Sequence, residues 1–214
     1  PEAIAQAYQQ EGLTEVARSG PWVVYRVANS DVVTPLTVQP VVAKISSSNP
    51  RERWLEIGTS WFQHPEMWTT PVADNGPSEW PRVEVVVDET KREGEQNSNN
   101  RRVDVVKPST ALTPVPLDPV VVSNVHIGEE SVKFTVDKIG VPVLVRVSYF
   151  PNWKVDGAKG PYRVAPNMMV VIPTSTTVNM HFGWNLREYV AYLLSFAGIA
   201  WIVVIRRRNK HVAE

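Results

Sequence analysis

Four tryptophans, Trp54, Trp61, Trp68 and Trp80, crowd one stretch of this sequence in the company of Phe62, His64, Glu66 and Met67. Indole rings exposed on a β scaffold can stack on sugars, because the apolar C–H face of a pyranose meets the electron-rich face of the ring. Trp54, Trp61, His64, Trp68 and Trp80 are therefore the candidate carbohydrate contacts. The bland alternative is that these rings fill the core or plug a loop against a sheet, as tryptophan's high average burial favours. The even spacing of Trp54, Trp61 and Trp68 also permits one face of a helix.

Other chemistry finds little footing. His64, Glu66 and Asp74 are of the right types for a metal or acid/base site, yet no HExxH pair, no histidines at i and i+4 and no EF-hand loop occur. His126 and His181 fall on predicted strands, where an isolated imidazole reads as a surface or hydrogen-bonded group, and His211 belongs to the C-terminal tail. There is no GxSxG elbow and no glycine-rich phosphate loop. Glu129, Glu130 and Asp137 border a strand and read as solvated turns, not as a catalytic carboxylate pair. Neither a catalytic residue nor a metal or cofactor is expected. With 22 basic and 22 acidic side chains the long-range field of a nucleic-acid binder is missing. The absence of cysteine removes disulfides, thiolate metal sites and a cysteine nucleophile.

The elements that must carry these residues are mostly strands. Val132, Phe134 and Val136 alternate with Ser131, Lys133 and Thr135, as a half-buried strand requires. Val141 to Tyr149 places Val141, Val143, Val145 and Val147 on one face and is the clearest strand of the chain. Further strands are expected from Trp22, over Val38 to Ile45, and at Val83 to Val87, Val103 to Val106, Val120 to Val125, Pro166 to Pro173 and Thr177 to Phe182. Short strands and 18 prolines predict a mainly β, antiparallel sandwich or jelly-roll-like domain over 1–186. Residues 2–18 are rich in helix formers and predict a short N-terminal helix. The stretch 88–102 has no apolar side chain and reads as a solvated loop with a composition that permits disorder.

One segment answers to a different solvent. Tyr189 to Ile205 carries no charge, and at about 1.5 Å per residue it covers about 26 Å, close to a bilayer's hydrocarbon core. A transmembrane helix is expected over 187–205. Trp184, Tyr189 and Tyr192 sit at one end, where amphipathic rings favour headgroups. Arg206, Arg207, Arg208 and Lys210 follow the other end, so the positive-inside rule puts the tail 206–214 in the cytoplasm and the β domain outside. Ser195 is expected to bond back to its own helix. The chain begins at Pro1 without a signal-peptide pattern, so it is expected to be a fragment or processed product whose export depends on something upstream.

The stretch from Val145 to Trp184, followed at once by the membrane helix, resembles the C-terminal end of YfhO-type bacterial membrane proteins and their actinobacterial relatives. Some of those relatives carry the label pyruvoyl-tetrahydropterin synthase-related. Tyr149, Phe150, Pro151 and Trp153 match the family's Tyr-aromatic-Pro-x-Trp run, and Asp156 and Gly157 match its turn; Asn152 stands where glycine is usual. The stretch from Gly20 to Val42 also looks like the family's ectodomain entry, whereas 50–120 has no counterpart. Tyr149, Pro151, Trp153, Asp156 and Gly157 read as architecture: Pro151 stops a strand, Trp153 caps the sandwich end and Asp156-Gly157 makes a hairpin turn with positive φ.

The resemblance implies a polytopic parent similar to GT-C glycosyltransferases, which use polyprenyl-phosphate sugars and keep their catalytic carboxylates near the first membrane helix. No such residue can be carried onto this chain. The expected partners are membrane lipid, upstream transmembrane helices of the same parent and a glycan or polyprenyl-linked sugar, at a bacterial plasma membrane. The implied role is an accessory domain for envelope glycan or glycolipid assembly. A non-catalytic single-pass interaction subunit of an envelope complex is the rival.

Overall fold

Valine, with its branched Cβ, packs well on a pleated surface, and the strands of this chain use it to face three ways. The computed structural model describes residues 12–28, 30–45, 49–91 and 104–210. Among them, β1 (Leu13–Ser19) and β2 (Trp22–Val27) form a two-stranded ribbon. An eight-stranded sheet runs in the order β3 (Val33–Pro35), β10 (Val143–Val145), β13 (Met168–Pro173), β12 (Ala158–Val164), β5 (Val72–Ala73), β4 (Val41–Lys44), β6 (Arg82–Val87) and β7 (Val106–Pro108). A four-stranded sheet runs β11 (Trp153–Asp156), β14 (Thr177–Phe182), β9 (Ser131–Val136) and β8 (Val122–Ile127).

The two larger sheets pack face to face. Val132, Phe134 and Val136 of β9, with Val178 and Met180 of β14, meet Val143 and Val145 of β10 and Met169 and Val171 of β13 in one core. Each strand contributes alternate residues, so a one-residue slip would turn every buried side chain outward. Beyond the end of the smaller sheet the same face of the larger one is covered by α1 (Pro50–Ser60). There Trp54 and Ile57 lie on Val41, Ala43, Val72 and Val83. The opposite face holds Val42, Ala73, Val164 and Val170 under Trp80. Gly76 makes room for that indole, since a Cβ there would stand 2.2 Å from its ring.

Pairing is antiparallel except around β4, which runs parallel to both β5 and β6. Parallel neighbours need a crossover. It consists of α1, a 3-10 turn (Trp61–Gln63) and α2 (Glu66–Thr69).

Two local expectations change. Residues 2–11 of the expected N-terminal helix lie outside the described residues, while 13–18 are extended in β1, where the Gly20-Pro21 turn folds them onto β2. The short helix that accompanies the sheets is α1. Gly157 does take a positive φ of 76°, but Asp156-Gly157 is not a hairpin turn. β11 pairs with β14 in the smaller sheet and β12 with β13 in the larger, so the glycine turns the chain from one sheet into the other. A Cβ at this corner would meet the Thr177 carbonyl at 2.3 Å. Most of the polar stretch 88–102, and the tail beyond Lys210, lie outside the described residues.

The chain ends in α3 (Leu186–Lys210), long and apolar enough to cross a membrane. Its span Leu186–Val203 has a mean hydropathy of 1.4, and none of its residues is fully buried. Ser195 Oγ donates to the Ala191 carbonyl at 2.9 Å, as expected for a hydroxyl within such a helix. Trp184 stacks on Tyr192 at 4.8 Å and lies 5.8 Å from Tyr189. At the helix start, Glu188 accepts from the Asn185 N–H, which is half of a capping box. Its other oxygen accepts from Asn152 Nδ2 at 2.7 Å. The Phe150–Trp153 turn is thereby tied to the start of α3.

Candidate functional site

The crossover helix α1 begins with a strong stop-and-start signal. The Asn49 side chain accepts from the Glu52 N–H, Pro50 occupies the first turn, and Asn49 Nδ2 donates to Glu52 at 3.0 Å. Trp54, Ile57, Gly58 and Ser60 form its buried side. Ser60 Oγ accepts the Val106 N–H at 2.7 Å, fastening the helix end to β7. Gly58 allows a close approach on the other flank: a Cβ there would lie 2.8 Å from the Pro166 carbonyl oxygen.

Between this helix and the β12–β13 turn lies a groove of about 410 Å³. Trp54, Thr59 and Phe62 line one side, and Arg163, Pro166 and Asn167 the other. The Arg163 guanidinium lies 4.6 Å over the Trp54 ring and 5.7 Å from that of Tyr149, both within cation–π range. Its Nε donates to Asn167 Oδ1 at 2.9 Å. Burial pulls its pKa down, opposed by the negative charge of Asp74. The Asp74 carboxyl is pushed up by its own burial, with Arg163 opposing. Arginine nevertheless stays charged at neutral pH, so the groove carries a fixed positive group against an aromatic wall.

From Phe62 a run of rings leads away from the groove. Phe62 meets Trp61 edge-on at 5.1 Å, and Trp61 lies 5.5 Å from Trp68. Trp68 Nε1 donates to the Trp61 carbonyl at 2.6 Å, which fixes the outer indole. Phe62 and Trp68 are 66% and 54% exposed.

The five carbohydrate candidates thus separate. Trp61 and Trp68 come together at the surface, although not on one helix face, since Trp61 sits in the 3-10 turn and Trp68 in α2. Trp54 is buried, yet it lines the groove beneath Arg163. His64 and Trp80 must be corrected, because neither has a face to offer. His64 is 2% exposed, with Nε2 3.4 Å from Asp88. The Asp88 carboxyl is held down to about 2 by the Thr90 hydroxyl and the Lys107 ammonium. Trp80 is spent covering the sheet, edge-on to Tyr162 at 5.2 Å. Behind it the Arg82 guanidinium gathers the carbonyls of Gly76, Pro77, Ser78 and Trp80.

Among the signature residues, Trp153 is buried between the sheets, edge-on to Phe182 at 5.8 Å. Pro151 lies in the turn that precedes it, Tyr149 backs Arg163, and exposed Asp156 lies 3.6 Å from His181 Nδ1. Among the described residues no cluster of histidine and carboxylate side chains could hold a metal ion. Arg163 and Asn167 were not foreseen as site residues; a lone Arg near the end of β12 gives no hint that it crosses to a tryptophan so far back in the chain. Comparison of the chain with protein families, curated proteins and solved structures finds no match.

Proposed function

We propose that this chain is the C-terminal extracytoplasmic domain and final membrane helix of a YfhO-like, GT-C-related envelope protein. In this role it binds the glycan or lipid-linked acceptor on which chemistry is done elsewhere. The observation that carries the binding role is the continuity of the exposed rings Trp68 and Phe62, linked through half-buried Trp61, with a groove of small-molecule size. Rings immobilised by their own hydrogen bonds and edge contacts lose little entropy on stacking. The placement outside the cell is supported by the basic residues Arg206 to Arg208 after α3. The parent's identity is supported by Tyr149, Phe150, Pro151 and Trp153, while Asn152 departs from the usual glycine.

Saturation-transfer titration of oligosaccharides on the full chain, kept in a detergent without a sugar headgroup, tests the binding role. Phe62→Ala and Trp68→Ala should each weaken binding roughly fivefold, the effect of about 1 kcal/mol of ring stacking. A distant exposed change, Ile139→Ala, should leave it unaltered. Equal binding by all three variants would sink the proposal. The second proposal, a non-catalytic interaction subunit, is favoured by the ribbon β1–β2, whose Trp22 is 78% exposed on a two-stranded unit that rarely stands alone. It predicts partner proteins and no saccharide binding.

A further inference from the structure

We infer that the groove selects a saccharide bearing an anionic substituent, a carboxylate or a phosphate, and that Arg163 receives it. The inference rests on the saccharide-binding role proposed above and specifies its substrate class.

Arg163 presents five N–H donors, and only Nε is engaged by a protein acceptor among the described residues. Arg163 lines the groove, and among the described residues no carboxylate is hydrogen-bonded to either Nη. The Trp54 ring below holds the guanidinium plane at 4.6 Å, and Asn167 fixes its rotation. A planar fork held in this way suits two oxygens of one anion.

Trp54 itself is 2% exposed and serves as the floor under the guanidinium. Asp74 tempers the positive potential without ion-pairing to the fork, since its interaction with Arg163 is one of charge at a distance. That keeps the site from being neutralised by its own protein.

The same titration, with glucose, glucuronate and glucose 1-phosphate as probes, tests the inference. At least one anionic probe should bind about tenfold more tightly than glucose, the gain expected of a charge-assisted hydrogen-bond pair. The better of the two identifies carboxylate or phosphate as the group read. The preference should shrink as salt is raised. Arg163→Gln should bring both anions to the level of glucose. Asp74→Asn, which leaves the packing of Arg163 intact, should tighten both anions and leave glucose unchanged.

Phe62→Ala should weaken all three probes alike. A wild-type chain that binds glucose but shows no anionic preference, or a preference that survives Arg163→Gln, overturns this inference alone. A chain that binds none of the three overturns the saccharide role and this inference with it.

Discussion

Gly58→Ala sets two physical effects of opposite sign against each other. In a helix interior, alanine is favoured over glycine by about 1 kcal/mol, so propensity alone makes the variant more stable. The structure says otherwise. The new Cβ would stand 2.8 Å from the Pro166 carbonyl oxygen, an atom of backbone, not the yielding end of a side chain. Either α1 or the β12–β13 turn must then shift, and overpacking of this kind costs about 2 kcal/mol. The balance is a loss of about 1 kcal/mol, which for a chain of this size lowers the melting temperature by about 2–4 °C. Because the groove lies along the same contact, glucose and glucuronate binding should weaken together. Thermal unfolding followed by near-UV circular dichroism in detergent reads the first effect. A variant that melts higher than wild type would show that the helix does not press on Pro166, and the groove's depth would need another explanation.

Asp88 has a depressed pKa in the fold, about 2 against an ordinary 3.8, so its stabilisation is present above the ordinary value and is lost as pH falls through about 2. Melting curves over that acid range should show a limb that Asp88→Asn abolishes, and an unchanged limb would mean Lys107 and Thr90 do not favour the carboxylate. Asn152→Ala removes the donor to Glu188, worth about 1.5–3 kcal/mol for a bond to a charged group. Amide exchange around Asn185 to Tyr189 should quicken by about tenfold or more, and no change would mean the turn does not secure the helix. Leu194→Arg and Ile199→Arg together place two charges in the apolar span, at about 3 kcal/mol each. The double variant should leave membranes on alkaline extraction while wild type stays, and identical partitioning would exclude α3 as the anchor.

Periodicity in the sequence reported which side chains face inward more faithfully than it reported hydrogen bonding. Val141 to Tyr149 is expected to be one long strand, and its ladder covers only Val143–Val145. Yet Val147 and Tyr149 still pack on the core, so the alternation was real although the partners change. After β10, Arg146 N–H bonds Val32 and Tyr149 N–H bonds Asn167. β5 has two residues, too few to show a period, and β12 contains Gly160-Pro161, which reads as a turn. β1 was hidden by its helix-forming composition, which pairing with β2 overrides. At the site, the equal spacing of Trp54, Trp61 and Trp68 suggested a single helix that Pro65 interrupts. Burial then divided the tryptophans by neighbours that local sequence does not contain. Asn49-Pro50 before Glu52 was the one signal there that local chemistry could have supplied.

The parallel placement of β4 beside β5 has an evolutionary corollary. Surface loops between hairpin strands can be lengthened or traded with little effect on their neighbours, but α1 and its aromatic extension are the return path between two strands that lie side by side. Exchanging that stretch wholesale would forfeit Trp54 and Ile57 from beneath the sheet along with one wall of the groove. Variation of the groove should therefore proceed by single changes at Phe62 or Asn167, on a frame that tolerates no transplant.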